Sequence, residues 1–228
     1  MSKTNLNHNA LSNHIAEHIG EQIITGELKP GEKIVENTYA VEYGTSRAPV
    51  REAIYLLTIE GLVERIPRKG AIVKEHTESE IFDLLDIRIM LESLAMKRIN
   101  ENGTDQQLLK KMEGLYDEMM VEEDAIRYTK LNHTFHLCLI EMSKSETIKK
   151  MYTRLELPLL RVQNISFTTE GNIEKSIKEH FTLVSLLKKG EIGEATTVLQ
   201  QHNQDVITSI QKRLFEHHDG VQKDKKEG

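Results

Sequence analysis

Three histidines have the spacing to do metal chemistry, and each falls on the apolar stripe of a different predicted helix. On 173–189 the stripe is Ile173, Ile177, Phe181, Val184 and Leu187, with His180 inside it. On 191–215 it is Ala195, Val198, Leu199, Val206 and Ile210, with His202 inside it. On 122–142 it is Leu131, Phe135, Cys138, Leu139 and Met142, and Asn132 and His136 sit four apart along its edge. Imidazoles are the commonest nitrogen ligands of Zn, Ni, Fe and Mn. Helical proteins build such sites in bundle cores, and an i, i+4 pair offers two donors from one face. A single inward histidine is more often a hydrogen-bonded core residue, so three leave two readings open. Glu179 is expected to point off the ligand face. His14, His18, His76, His133, His217 and His218 read as exposed and without a role.

Arginines pose a second chemical question. Arg88 lies inside the apolar face Ile81, Leu84, Leu85, Leu91 and Ala95 of a predicted helix over 78–101. A buried guanidinium requires an anionic partner. Glu92, one turn on, is one choice and a carboxylate on another helix is a second. Arg47 and Arg51 stand four apart in "GTSRAPVREAI", at the start of a helix in an acidic chain. They can pair with Glu52 or Glu42. They can also meet DNA, since a guanidinium forks onto guanine O6 and N7 or grips phosphate. Thr45 and Ser46 can donate to phosphate beside the free N–H groups of that helix end.

The elements that must hold these residues follow from periodicity and punctuation. Leu11, Ile15, Ile19 and Ile23 recur every four residues and predict a helix over Ala10–Ile24, stopped by "GELKPGEKI". A short helix over about Glu36–Tyr43 ends at Gly44. The next helix is expected to be capped by the Ser46 hydroxyl, with Pro49 in its first turn, and to end at Gly61. "LVERIPRKGAIVKEH" predicts two strands, Leu62–Ile66 and Ala71–Lys74, around a turn carrying Arg68, Lys69 and Gly70. Two helices joined by a tight turn form a helix-turn-helix, and the basic hairpin beside it reads as a wing. Beyond it, helices are expected near 78–101, 104–120, 122–142, 145–164, 173–189 and 191–215, with a polar tail that frays.

Composition bounds what these parts can be. The chain has 228 residues, 38% of them apolar, with four prolines and no tryptophan, as expected of a mostly helical protein with an ordinary core. No apolar run approaches the ~18 residues of a membrane span, and "MSKTNLNHNALSNH" lacks the apolar core of a signal peptide. The single Cys138 excludes an internal disulfide and fits a reducing cytoplasm. A net charge of −6 excludes a protein coated in nucleic acid, but not a local basic reader.

The stretch "GTSRAPVREAIYLLTIEGLVERIPRKGAIV" resembles the DNA-binding domain of GntR-family bacterial regulators, whose pattern is close to "VSR-x-PVREAL-x-x-L-x-x-EGL" followed by a "G-x-G" wing. The resemblance covers about residues 10–76. It departs at Lys69, and at Asn37, where some relatives carry a DNA-touching arginine. It implies DNA contacts by Thr45, Ser46, Arg47, Pro49, Arg51, Arg68, Lys69 and Gly70. "NHTFHLCLIEMS", "EHFTLVSLLKKGEIGEA" and "QQHN" are similar to the all-helical sensing domain of the FCD branch, over about 78–215. That similarity implies metal ligands at Asn132, His136, His180 and His202, and an organic-acid effector held by Arg88, with Arg161 a weaker candidate for the same task. Asn132 replaces the commoner aspartate, and its amide oxygen is a weaker donor than a carboxylate.

The expectation is therefore a mostly α protein with a winged helix-turn-helix over 1–76 and an antiparallel all-α helical bundle over 77–228. It is expected to be a cytoplasmic homodimer that binds a double-stranded operator and is no enzyme. It is expected to sense a small organic acid with the help of a divalent metal ion (Zn, Ni, Mn or Fe). Two alternatives remain: a metal-dependent hydrolase, which would need a general base although no "HExxH" occurs, and a sensor for which the metal itself is the signal.

Overall fold

A computed structural model describes the backbone over residues 3–224 and the side chains over 10–214. The chain divides into two compact units between Thr77 and Glu78. In the first, α1 (Lys3–Thr25) packs on α3 (Arg47–Ile59), with α2 (Glu36–Glu42) between them in sequence. The four-residue spacing foreseen for α1 buries Ile15, Ile19 and Ile23, and α3 contributes Val50, Ala53, Ile54 and Leu57 to the same core. Each such side chain stabilises the unit by roughly 1.5–3 kcal/mol when fully buried.

Gly61 ends α3 with a φ of 78°, its N–H bonding to Thr58 O while the Leu62 N–H bonds to Leu57 O. That paired closure needs a left-handed residue just past the helix, which glycine supplies. Leu62, fully buried, then carries the chain into the hairpin.

The hairpin is β2 (Val63–Ile66) and β3 (Gly70–Val73), antiparallel in the register Val63↔Val73 to Ile66↔Gly70. A third strand is present that periodicity did not predict. β1 (Lys33–Ile34) pairs with β3, giving the sheet order β1-β3-β2. Two residues are too few to show alternation, and Gly26, Pro30 and Gly31 before them read as a breaker.

The second unit is all helix among the described residues: α4 (Glu78–Asn102), α5 (Gln106–Met119), α6 (Ala125–Met142), α7 (Glu146–Thr153), α8 (Glu156–Phe167), α9 (Asn172–Lys189) and α10 (Ile192–Asp224). Asp105, Asp124 and Ser145 cap α5, α6 and α7 by accepting first-turn N–H bonds. α6 packs against α4, α5, α7 and α8, while α9 and α10 pack on each other. Phe135, Cys138, Leu139 and Met142 of α6 share one core with Ile99, Met112, Leu187 and Leu199.

The single helix expected over 145–164 is two. Pro158 has no N–H to give, and its ring clashes with the carbonyl four residues back, at Arg154. The chain breaks there, at Arg154 and Leu155, and α8 starts with Pro158 in its first turn. No described helix is long and apolar enough to cross a membrane. The side chains of His217 and His218, and the end of the polar tail, lie outside the described residues.

Candidate functional site

In the first unit, the start of α3 and the wing carry the basic residues. Ser46, Arg47, Arg51, Arg68, Lys69 and Gly70 are exposed and Thr45 is half-buried. Ser46 has the extended backbone of an N-cap, but its hydroxyl makes no capping bond, contrary to expectation. Pro49 is buried in the unit's core, so its ring packs inward and does not face a ligand. The arginines do not pair with Glu52 or Glu42. Arg47 Nη2 donates to Asn37 Oδ1 at 3.1 Å, and Arg51 Nε donates to Glu36 Oε2 at 2.7 Å.

Exposed pairs of this kind are worth about 0–1 kcal/mol, so they orient the guanidinium groups more than they fasten them. A groove runs beside them, lined by Lys33, Glu36, Asn37, Arg47, Arg65, Arg68 and Lys69 among others. Five cationic side chains face one carboxylate there, a surface suited to phosphate. Lys33 and Asn37 join it through β1 and α2, and only their three-dimensional neighbours reveal it.

In the second unit, His136, His180 and His202 come together in the bundle interior, each at most 3% exposed. One nitrogen from each lies within 4.8 Å of the others, and His136 Nε2 and His180 Nε2 are 3.3 Å apart. Two nitrogens sharing a tetrahedral zinc at its usual bond length stand about 3.3 Å apart. Behind the cluster, carboxylates lie against the opposite nitrogens of two of the three rings. Glu179 Oε2 lies 2.7 Å from His202 Nδ1, which corrects the expectation that Glu179 points away. Glu92 Oε1 lies 3.1 Å from His136 Nδ1.

At His202 the carboxylate bonded to Nδ1 fixes the tautomer that presents Nε2 as a lone pair, as metal-ligating histidines require, whereas the Glu92 contact to His136 Nδ1 is not aligned as a hydrogen bond. His202 Nε2 has no protein partner, nor do Asn132 Oδ1 and Nδ2, though Asn132 is fully buried one turn before His136. Unpaired buried polar atoms cost about 1–3 kcal/mol each, so a ligand that satisfied them would be stabilising. Burial pushes His136 down to about 3 and His180 well below the usual imidazole range, so both are neutral and able to coordinate. The residues present fit a divalent cation.

Arg88 is 1% exposed and its Nε donates to Glu92 Oε1 at 2.8 Å. Tyr152 OH and Asn203 Nδ2 also donate to Glu92, at 3.3 and 2.7 Å. Burial by itself opposes ionisation of Glu92, but Arg88 and His136 override it and hold the carboxyl well below its usual range. Arg88 Nη2 keeps no partner. Arg161 is half-buried on α8. His133, read as exposed, is 3% exposed and stacks on Tyr152 at 5.3 Å. Phe181, read as core, is 57% exposed and lies against Tyr116, while Leu183 takes the buried position.

Comparison with known proteins fits this geometry. Residues 83–205 match the FCD domain, and residues 11–73 match the bacterial regulatory proteins of the gntR family. The chain belongs to the GntR family. Its relatives include the uncharacterized HTH-type transcriptional regulator YdhC of Bacillus subtilis, 27% identical over 172 residues, which are 74% of this chain and 77% of YdhC. They also include the gluconate operon transcriptional repressor of the same organism, 30% identical over 145 residues, 62% of this chain and 59% of that one. The E. coli McbR/YncC structure superposes with a TM-score of 0.71 over 90% of this chain and 98% of its own, at 20% identity, and supports the fold.

This GntR-family protein is a DNA-binding transcriptional regulator and not an enzyme. The hydrolase alternative therefore falls, and the histidine cluster belongs to a regulatory domain. Tyr152 and Asn203, which the sequence pattern did not single out, and His133, read as exposed, lie around the Arg88–Glu92 pair, while Glu92 was foreseen as a partner of Arg88 and Glu179 was expected to point away. "EH" at 179–180 was the one available signal for Glu179.

Proposed function

We propose that this GntR-family chain is an operator-binding repressor whose FCD domain senses a small organic acid with a divalent metal ion, and that it acts in the cytoplasm as a homodimer. The observation that carries the sensing half is the convergence of three buried imidazoles whose remote nitrogens, on His136 and His202, face carboxylates. Asn132, His136, His180 and His202 hold the ion. A bound cation would supply a positive centre for the carboxylate of the acid. Arg88, oriented by Glu92, presents its unpaired Nη2 as a second anchor for the acid, and Arg161 is a further candidate. The gluconate operon transcriptional repressor among the relatives supports repression.

On DNA, Arg47 and Arg51 enter the major groove from the start of α3. Thr45, Ser46, Arg68, Lys69 and Gly70 meet the backbone. Two copies related by a two-fold axis put their recognition helices about 34 Å apart, one turn of the duplex. Effector acts only through its unequal affinity for the two arrangements of that dimer.

The test has two arms. Arg51→Ala weakens binding to DNA fragments that the wild-type protein selects from its own genome by about 5- to 100-fold, the range for a base-reading arginine. Unchanged affinity removes Arg51 from the reader. Protein purified without chelator carries about one metal per chain by elemental analysis, and His180→Ala with His202→Ala strips it. Metal-free wild-type protein overturns the metal half. One observation favours a second reading, in which the ion itself is the signal: the Arg88 charge is already balanced by Glu92. That reading requires metal alone to change DNA affinity.

A further inference from the structure

α4 turns one face to the bundle and the opposite face outward. Ile81, Leu85, Arg88, Leu91, Glu92, Ala95, Met96 and Ile99 make the buried side. Outward, Ile87, Met90 and Leu94 are 41%, 63% and 50% exposed, three large apolar side chains spaced 3 and 4 apart on one stripe. α7 packs beside α4 and adds Met151, which is 48% exposed. Single exposed apolar residues are ordinary, but a helix stripe of them marks an interaction surface.

The charges at the two ends of the stripe identify the occupant. Asp83 continues the stripe toward the helix start, and Lys97 and Arg98 continue it toward the end, all exposed. The order is acidic, apolar, basic. Turned end for end, this pattern matches itself. When two α4 helices lie antiparallel about a two-fold axis beside Met90, Ile87 of one faces Leu94 of the other, and Asp83 of one faces Arg98 of the other. Each contact then occurs twice, the signature of an isologous interface. A different partner protein imposes no such symmetry about the middle of a helix. Arg98 lies 3.4 Å from Glu101 of its own helix, an exposed contact that leaves it available at the surface.

We infer that the outward face of α4, centred on Ile87, Met90 and Leu94 and flanked by Asp83 and Arg98, docks antiparallel against the same face of a second copy of this chain. The inference rests on the proposal that the regulator works as a dimer, and it names the surface.

Sedimentation or light scattering on the full chain at micromolar concentration tests it. Wild-type protein is expected to be a dimer. Met90→Glu with Leu94→Glu raises the dissociation constant by on the order of 100-fold or more, enough to give monomer in that range, while helical content is unchanged. Asp83→Arg and Arg98→Asp each weaken the dimer alone and restore it together, because the double variant rebuilds both pairs across the axis. This swap decides the matter if the glutamate variant fails to fold. A wild-type monomer overturns both the dimer and the surface. A dimer that survives both glutamates, or a charge swap without restoration, overturns the surface and leaves the dimer standing elsewhere.

Discussion

Arg68 holds a backbone conformation that its side chain disfavours. Its φ is 69°, and the Lys69 N–H bonds back to Ile66 O at 3.1 Å across Pro67 and Arg68. Proline second and a left-handed residue third make a type II turn, where glycine or asparagine is the ordinary occupant. An arginine there costs on the order of 1 kcal/mol, and such strain collects at functional sites. The cost is explicable if Arg68 meets DNA backbone from the wing tip. Arg68→Gly is therefore expected to raise the unfolding free energy by about 0.5–1 kcal/mol in urea. It should also weaken DNA binding and lower the slope of log affinity against log salt by about one unit. Greater stability with an unaltered salt slope would remove Arg68 from the interface. Gly70, at a φ of 93°, completes the tip, and a Cβ there would sit 3.6 Å from the Lys33 side chain.

At the scale of elements, the histidine cluster depends on pairings between helices. Glu179 on α9 reaches His202 on α10, and Glu92 on α4 reaches His136 on α6. Glu179→Gln keeps the shape but loses the negative charge that faces His202 Nδ1, and is expected to lower metal affinity 10- to 100-fold in chelator competition. Full retention of affinity would reduce Glu179 to a surface residue beside the site. His180 and His202 were legible in the sequence because they fall on the apolar stripes of α9 and α10, where a 3.6-residue period marked what points inward, and His136 lay at the edge of the α6 stripe. His133 was not, because α6 packs on several sides and buries Asn132, His133, Phe135, His136, Cys138, Leu139 and Ile140 alike. No single stripe describes such a helix. Phe181 misled for the opposite reason: it borders the stripe, and Leu183 fills the core instead. The ties of Asn203 and Tyr152 to Glu92 span 111 and 60 residues, so no local pattern carries them. The helix-turn-helix was plain because its punctuation is local, at Gly44, Ser46, Pro49 and Gly61.

For the molecule as a whole, the buried histidines make stability depend on pH. Burial lowers His133 to about 4, with the positive Arg88 acting in the same direction and Glu92 opposing, and it lowers His136 to about 3. In the unfolded chain both titrate near the ordinary value of 6.5. Above that value neither state takes up the protons and nothing is lost. As pH falls below it, the unfolded chain binds protons that the folded chain refuses, so stability drops by up to about 1.4 kcal/mol per pH unit for each group. The loss continues until pH reaches the folded values. Glu92, held low by Arg88 and His136, adds a further loss in the same direction once pH passes below the ordinary carboxylate range. Metal-free protein kept in chelator is thus expected to show a urea midpoint that is level above about pH 7 and falls steadily toward pH 5. His133→Phe preserves the stacking surface on Tyr152 and removes one titrating ring, so the same fall becomes shallower by about one proton. A midpoint that stays level from pH 7 to 5 would mean that these rings can open to water in the folded state, and with it the dry, preformed cluster would have to be given up.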